Sequence, residues 1–295
     1  MLPIHNYLSC HAVDPATIVI GGDLEVFRMG FGAMRITGPG IWAEPADPAG
    51  ARRLLHRVVE RDVNLIDTAD SYGPDVSENL IAEALRPYPE NLVIATKGGF
   101  ERPGPNRWVA NCRPDRLRRC CEASLLRLKL ERIDLYQLHT VDPKVPIEDS
   151  IGALAELQEE GKIRHIGVSN VTVEGIERAQ EIAPIVSVQN HYNVTDRASE
   201  DELRFCQEAG IAFLCYFPLG RGELAEPGTA LAEIAERHGA TPAQVALAWL
   251  LRHSPAAVPI PGTSSISHHD ENVDAAELEL EDDEVEALDE LAPAA

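Results

Sequence analysis

The sequence predicts a single (β/α)8 barrel of the α/β class, preceded by a short β-hairpin. Short runs rich in Val, Ile and Leu alternate with helical patterns, and the alternation repeats eight times within 295 residues. Such apolar runs are typical of parallel strands that helices cover on both faces of the sheet. One barrel of this kind takes up the whole chain, so we expect a single domain over residues 1–295.

The hairpin is predicted at residues 17–28, after an N-terminal extension over residues 1–16. Gly21, Gly22 and Asp23 form a turn signal between two short β-type runs. The extension has no basic segment followed by an apolar one, and the chain has no run of about 18 apolar residues. The sequence therefore gives no indication of export or of membrane anchoring.

Local capping signals support the eight strand–helix units. Asp47 and Pro48 supply an N-cap and a first-turn proline for the first helix, Pro114 opens the third helix, and Gly161 follows the fourth as a C-cap. The strands are predicted at residues 28–34, 63–67, 91–97, 133–139, 163–170, 185–190, 211–216 and 256–262. The helices are predicted at residues 49–62, 77–85, 114–128, 147–161, 173–183, 199–210, 230–252 and 267–276.

A doubly wound parallel sheet is the alternative architecture for the same alternation. Sheets of that type usually hold a dinucleotide with a G-x-G-x-x-G loop. The nearest match begins with Gly30 and Gly32, but Arg35 occupies the position of the third glycine. The closed barrel is therefore the preferred prediction.

The charge and the cysteines limit the class of function. A formal net charge of −22 makes binding to nucleic acid or to an anionic membrane surface unfavourable, which favours a small-molecule substrate. The six cysteines show no C-x-x-C spacing and predict a reduced, cytoplasmic protein. Cys120 and Cys121 are neighbours on a predicted helix, so their side chains diverge and we expect no metal site there.

Polar residues follow the predicted strands at their C-terminal ends. They are Asp67, Lys97, His139, Ser169, Asn170, Gln189, Asn190 and Tyr216. In a barrel these ends converge on one face, where the active sites of this fold lie. A single polar residue at a strand end usually just enters a solvated loop. Burying an Asp, a Lys and a His around one mouth is costly unless they pair and serve a function, so the set predicts an active site.

The motifs at these strand ends resemble those of the aldo-keto reductases. "DVNLIDTADSYG", "IATK", "DLYQLH", "IGVSN", "VQNHYN" and "YFPLGRG" occur in the order and spacing of that family, and the resemblance covers residues 17–291. It implies reduction of an aldehyde or ketone by hydride from NADP(H). The catalytic tetrad that it implies is Asp67, Tyr72, Lys97 and His139, all with the residue type of the family.

The resemblance also implies a role for each member of the tetrad. Tyr72 would donate a proton to the carbonyl oxygen, and its pKa, ordinarily ~10, would have to be lowered for efficient transfer near neutral pH. Lys97 would lower it, while Asp67 would keep Lys97 charged and oriented. His139 would donate a hydrogen bond to the carbonyl oxygen.

Cofactor contacts follow from the same resemblance. Ser169, Asn170 and Gln189 would hold the nicotinamide carboxamide, and Tyr216 would stack on the ring. The residues expected beside the rest of the nicotinamide and the pyrophosphate are Gly32, Phe217, Pro218, Leu219, Gly220 and Gly222. Those expected around the adenosine and its 2′-phosphate are Gly262, Thr263, Ser264, His268, Glu271 and Asn272.

The 2′-phosphate segment departs from the family pattern at two positions. The family frequently has Lys where this chain has Gly262, and Arg where it has His268. Thr263, Ser264, His268 and the N-terminus of the following helix can still bind a phosphate. NADP(H) therefore remains the expected cofactor.

Three stretches resemble the bacterial pyridoxal reductases within the family. They are "GFGAMRITGPGIW", "ALRPYPENLVIATKGG" and the segment from "LAWLLRHSP" to "IPGTSS". Trp42 and Trp108 are predicted in loops at the barrel mouth, where they would either stack on a flat pyridine ring or pack the loops. Because the exterior is strongly acidic, we expect pyridoxal to be preferred over pyridoxal phosphate.

Two other functions share this fold. Related barrels serve as potassium-channel β-subunits that keep a cofactor without turnover, and other barrels act on phosphate esters or sugars. The complete tetrad favours the reductase over both. Turnover of reduced nicotinamide with an aldehyde separates the three.

Overall fold

The computed structural model describes residues 16–220 and 229–292. Its strands are β1 (Thr17–Ile20), β2 (Leu24–Phe27), β3 (Phe31–Gly32), β4 (Leu65–Asp67), β5 (Val93–Gly98), β6 (Phe100–Gly104), β7 (Arg107–Ala110), β8 (Ile133–Leu138), β9 (Ile163–Ser169), β10 (Ile185–His191), β11 (Ala212–Tyr216) and β12 (Ala257–Pro259). Its α-helices are α1 (Pro48–Glu60), α2 (Val76–Leu85), α3 (Pro114–Leu128), α4 (Ile147–Glu159), α5 (Val173–Gln180), α6 (Glu200–Ala209), α7 (Ala230–His238), α8 (Pro242–His253), α9 (Ile266–Asp274) and α10 (Asp282–Asp289). Each strand and helix of the eight predicted units overlaps one of these elements.

Eight parallel strands form one sheet in the order β3, β4, β5, β8, β9, β10, β11, β12. The first and last strands are also joined, because Gly30 N donates to Pro259 O at 3.0 Å and Gly32 N donates to Pro261 O at 3.2 Å. A Cβ on Gly32 would lie 2.6 Å from the carbonyl oxygen of Ile260. The junction between the first and last strands, which we call the seam, therefore requires glycine at this position. The predicted (β/α)8 barrel is confirmed, and the doubly wound sheet is excluded.

The predicted hairpin is also present and covers the N-terminal end of the barrel. β1 and β2 pair antiparallel, with residues 21–23 as the turn. Ile20, Leu24 and Val26 are buried in one cluster with residues from the barrel interior, which include Leu65, Val93, Ala95, Leu135, Leu214 and Val258. This end of the barrel is therefore closed by apolar packing.

The loop predicted after the third barrel strand is a second β-hairpin, so the prediction of a loop for Trp108 is wrong. β6 and β7 pair antiparallel around a two-residue turn at Pro105 and Asn106, and Asn106 has a φ of 54°. The Pro and Gly residues of this stretch are typical of a loop, and they concealed the short strands. The hairpin adjoins the C-terminal end of the barrel.

Within residues 16–220 and 229–292, no helix combines the length and the apolar character needed to cross a bilayer. The predicted extension lies outside the described residues, apart from residue 16. The single domain over residues 1–295 therefore stays a prediction.

Candidate active site

A cavity of about 580 Å³ opens at the C-terminal end of the barrel. Asp67, Tyr72 and His139 line its wall, and Lys97 lies behind them with no exposed surface. Asp67 is the last residue of β4, Lys97 lies near the end of β5, and His139 directly follows β8. The parallel strands thus bring the four predicted catalytic residues together.

Lys97 is the centre of this cluster. Its Nζ donates to Asp67 Oδ2 at 2.5 Å, to the carbonyl oxygen of Thr68 at 2.9 Å and to the Tyr72 hydroxyl at 3.5 Å. These three acceptors match the three hydrogens of an ammonium group, so the buried Lys97 is held charged and in one position. Because the Tyr72 oxygen accepts from Lys97, the hydroxyl hydrogen of Tyr72 points away from Lys97.

Burial is the main influence on the pKa of Tyr72. Burial raises this pKa well above 10.0, and the charges of Asp67 and Asp70 raise it further, while the charge of Arg102 acts in the opposite direction. Burial also lowers the pKa of Lys97, against the attraction of Asp67. The prediction that the site lowers the pKa of Tyr72 is therefore wrong for the protein alone, because desolvation of the phenolate outweighs the opposing charge of Arg102. Tyr72 is protonated at neutral pH, which is the form that a proton donor needs.

Two glutamines complete the shell of Asp67. Gln137 and Gln189 donate their Nε2 hydrogens to Asp67 Oδ1 at 3.1 and 2.8 Å, so both carboxylate oxygens are bonded. The sequence assigned Gln189 to the cofactor and did not single out Gln137. Gln137 is the register partner of Lys97 on the neighbouring strand. Knowledge of how these two strands pair would therefore have predicted that Gln137 lies beside the catalytic residues.

His139 is neutral and lies among aromatic rings. Burial lowers its pKa well below 6.5, and the positive charges of Lys97 and Arg102 lower it further. Its Nδ1 is 3.3 Å from Ser71 Oγ, and its ring centroid is 4.8 Å from that of Phe100 in an edge-to-face arrangement. A neutral imidazole in this position can donate one hydrogen bond into the cavity.

The two predicted tryptophans differ in position. Trp108 lines the cavity, and its ring centroid is 6.3 Å from that of Tyr72. Trp42 is not among the lining residues and contacts the Arg102 guanidinium, 5.8 Å from the ring centroid. The sequence missed Phe100, which lines the cavity beside Trp108.

The predicted carboxamide residues form a connected shelf on one wall. Ser169 Oγ donates to the carbonyl oxygen of Gln189 at 2.7 Å, and Asn170 Nδ2 donates to that of His139 at 3.0 Å. The Tyr216 hydroxyl donates to Asn170 Oδ1 at 2.7 Å. Asn170 has a φ of 57°, a conformation uncommon outside glycine, which this local bonding holds in place.

The predicted loop residues beside this shelf also line the cavity, namely Gly32, Phe217, Pro218, Leu219, Gly220 and Gly262. Gly222 lies outside the described residues. A Cβ on Gly262 would lie 2.7 Å from the carbonyl oxygen of Gly32 and 3.5 Å from Arg35 Cγ, so a side chain at residue 262 would require the backbone to shift. The exposed Arg35, which the sequence treated only as a break in a glycine motif, lines the cavity at this point.

The remaining predicted residues surround the N-terminus of α9 and do not line the cavity. Thr263 Oγ1 accepts from the backbone N–H of Ser265, whose own Oγ caps the helix by accepting from His268 N at 3.4 Å. The side chains of Ser264 and His268 are exposed around this helix end. Glu271 and Asn272 follow within α9, where Asn272 is buried.

The closed barrel thus holds a buried Asp–Lys pair behind a tyrosine of the cavity wall. The model of the Aldo/keto reductase family matches residues 28–293, and the chain belongs to that family. An uncharacterised oxidoreductase of Schizosaccharomyces pombe is 49% identical over 91% of this chain and 88% of its own. Pyridoxine 4-dehydrogenase of Escherichia coli is 41% identical over 91% of this chain and 96% of its own.

A solved structure agrees in fold. The aldo-keto reductase from Klebsiella pneumoniae in complex with NADPH superposes with a TM-score of 0.81 at 28% identity. The match covers 95% of this chain and 96% of the other. The likeness therefore extends over the whole barrel.

Proposed function

We propose that this protein reduces an aldehyde or ketone to an alcohol with NADP(H), and that Tyr72 is the proton donor. The observation that carries the proposal is the buried series Asp67, Lys97, Tyr72, which ends at the cavity wall beside a neutral His139. Membership of the Aldo/keto reductase family supports an oxidoreductase.

In this proposal Tyr72 transfers its hydroxyl proton to the carbonyl oxygen. The Lys97 ammonium, 3.5 Å from the Tyr72 oxygen, stabilises the phenolate that remains, and Asp67 balances the lysine charge. We assign Nδ1 of His139 as the acceptor from Ser71, which places the imidazole hydrogen on Nε2. His139 Nε2 then donates a hydrogen bond to the carbonyl oxygen of the substrate and stabilises the negative charge that develops on that oxygen.

The residues of the cavity fit a dinucleotide. Gly32 and Gly262 have no side chain to fill the seam, and the flat ring of Tyr216 matches a nicotinamide in shape. Arg35 supplies a cation for the phosphates beside Gly262, where the family frequently has Lys. When bound, the reduced nicotinamide supplies the hydride.

NADP(H) is proposed over NAD(H). The NADPH complex of the Klebsiella pneumoniae relative supports this choice. In this chain Ser264, His268 and the N-terminus of the nine-residue α9 form an exposed set of donors for a 2′-phosphate.

Pyridoxal is the substrate that we propose. Phe100, Trp108 and Ile41 give the cavity aromatic and apolar walls that suit a flat ring. The 41% identity to the pyridoxine 4-dehydrogenase of Escherichia coli supports the choice. Among the described residues that line the cavity, Arg35 is the sole cation, so the substrate phosphate of pyridoxal phosphate would compete with the cofactor for it.

Nicotinamide absorbance, followed with NADPH and NADH, tests the proposal. The carbonyl compounds are pyridoxal, pyridoxal phosphate, benzaldehyde and propanal. We expect turnover with NADPH, and the highest kcat/KM for pyridoxal. Absence of turnover with every carbonyl contradicts the reductase, whereas turnover with pyridoxal no better than with benzaldehyde contradicts the substrate alone.

We also propose a cytoplasmic location. The cysteines that the structure describes, which exclude Cys10, are all free thiols. Free buried thiols are typical of proteins from reducing compartments.

A further inference from the structure

Arg102, on β6, joins three segments around the cavity mouth. Its Nη1 donates to the carbonyl oxygen of Ser71 at 2.7 Å, its Nη2 to that of Gly40 at 3.0 Å, and its Nε to that of Arg107 at 3.0 Å. Ser71 directly precedes Tyr72, Gly40 lies in the loop after β3, and Arg107 begins β7. One guanidinium thus ties the second hairpin to two loops of the active site.

The same guanidinium lies over Trp108. Arg102 Cζ is 3.7 Å from the centroid of the Trp108 ring, a close cation–π contact. The Trp108 ring also lies in edge-to-face arrangements with Phe100 and His139, at 5.4 Å and 6.1 Å between ring centroids. Trp108 is therefore held by a cation over its face and by two further rings.

The contact reaches the proposed catalytic residues. Arg102 bonds the residue that precedes Tyr72, and its charge opposes the upward shift of the Tyr72 pKa and adds to the downward shift of the His139 pKa. Arg102 is not among the residues that line the proposed reaction cavity. We therefore assign its effect on the reaction to the residues that it holds.

We propose that Arg102 is a positioning residue that fixes Trp108 as the stacking wall for a flat aromatic substrate and so sets the preference over small aliphatic carbonyls. The inference rests on the proposed carbonyl reduction. Three backbone acceptors fix the guanidinium, and the guanidinium fixes the indole. A flat ring gains from an indole plane that is already in place, because little side-chain entropy is lost on binding. A small aliphatic aldehyde gains almost nothing from it.

Arg102→Met is the main test, with Arg107→Met as the matched control. Arg107 is exposed on the same hairpin, so its replacement removes the same charge without the contacts to Trp108. Steady-state kinetics with pyridoxal and with propanal are measured for both variants. The Kd of pyridoxine is measured by quenching of tryptophan fluorescence, which requires no turnover.

We expect Arg102→Met to raise the KM of pyridoxal and the Kd of pyridoxine about three- to thirtyfold, the range of a cation–π contact that is partly desolvated. The kcat and the propanal KM stay within about threefold, and Arg107→Met resembles the wild type. Arg102→Lys keeps the positive charge but cannot bond all three backbone carbonyls at once. Its KM and Kd values should therefore fall between those of the wild type and those of Arg102→Met.

The outcomes separate this inference from the proposed function. If the wild type turns over carbonyls but Arg102→Met changes pyridoxal and propanal equally, Arg102 has only a structural role and the inference is wrong. A wild-type chain that binds no pyridoxine also overturns it. Absence of turnover together with tight, Arg102-dependent pyridoxine binding would overturn the reductase and leave the positioning role standing.

Discussion

Two layers of side chains inside the barrel come from the same strands and have opposite characters. The layer near the N-terminal hairpin includes Leu65, Ala95 and Leu135, and the layer at the C-terminal end includes Asp67, Lys97 and Gln137. Each polar residue lies two positions after an apolar one, so both point into the barrel. A step of about 7 Å along three strands thus separates the packed core from the proposed chemistry.

The two layers contribute differently to stability. The lower layer and the hairpin bury apolar surface, which is the main favourable contribution to folding. The upper layer buries a charged pair whose desolvation offsets much of its mutual attraction, so its presence is better explained by function than by stability. Substitutions in the two layers should therefore have separable effects.

Tyr72→Phe should give the largest effect of all the substitutions, and this effect should be on kcat and not on stability or cofactor affinity. Loss of the proton donor is expected to lower kcat for carbonyl reduction by about two to four orders of magnitude. The Kd of NADPH and the urea midpoint should stay near those of the wild type, because only one hydroxyl is removed. A kcat within a few-fold of the wild type would show that another group supplies the proton.

Lys97→Met should lower kcat to a degree comparable with Tyr72→Phe and should also lower stability. It leaves Asp67 as a buried charge without its cation, which costs about 3–5 kcal/mol of the free energy of unfolding. Adding Asp67→Asn removes that charge, so the double variant should recover most of the stability while its kcat stays low. Urea unfolding measures both variants, and a double variant no more stable than Lys97→Met alone would contradict this account of the pair.

Leu135→Ala, in the lower layer, should have the opposite pattern. The fully buried side chain leaves a cavity that lowers the free energy of unfolding by about 2–5 kcal/mol. At temperatures where the variant is folded, its KM and kcat should be close to those of the wild type. A large loss of kcat in folded protein would mean that the layers are mechanically coupled.

The upper layer was only partly predictable from the sequence. Asp67 and Lys97 interrupt or end apolar runs, so a pattern of period two places them at the mouth. Gln137 sits within its strand, and its approach to Asp67 depends on strand pairing across the sheet, which a single sequence does not display. Arg102 was missed because its hairpin contains loop-type residues, and the three backbone carbonyls that it bonds come from tertiary structure.

Asp70 is a buried carboxylate that lies close to the hydrogen-bonded network of Asp67 and Lys97 but lacks its full set of partners in the part of the chain that the structure describes. Its Oδ1 has no hydrogen-bond partner among the described residues, and burial, with the nearby Glu78, raises its pKa from 3.8 to about 7. Between about pH 4 and 7 the folded chain holds a proton that the unfolded chain has lost, so the free energy of unfolding falls as the pH rises through this window. Above pH 7 the whole cost of the buried charge is present.

Asp70→Asn should remove that slope. We expect the variant to be about 4 kcal/mol more stable than the wild type at pH 8 and nearly equal to it at pH 4. Urea unfolding at several pH values from 4 to 8 provides the measurement. Parallel stability curves for the two proteins would show that Asp70 does not titrate in this range.

The smallest effect is expected at the rim, where the proposed 2′-phosphate contacts are exposed to solvent rather than buried like Asp67 and Lys97. Ser264→Ala combined with His268→Ala removes two donors near the N-terminus of α9 but leaves the Ser265 cap in place. Exposed hydrogen bonds lie at the lower end of the range of about 0.5–1.5 kcal/mol each, so the loss of two should cost about 1–2 kcal/mol and lower the affinity for NADPH by about five- to thirtyfold, while that for NADH is unchanged. Fluorescence titration with both nucleotides measures the ratio. Equal affinities in the wild type would contradict the NADP(H) preference itself, whereas an unchanged ratio in the variant would place the discrimination elsewhere, with Arg35 as the next residue to replace.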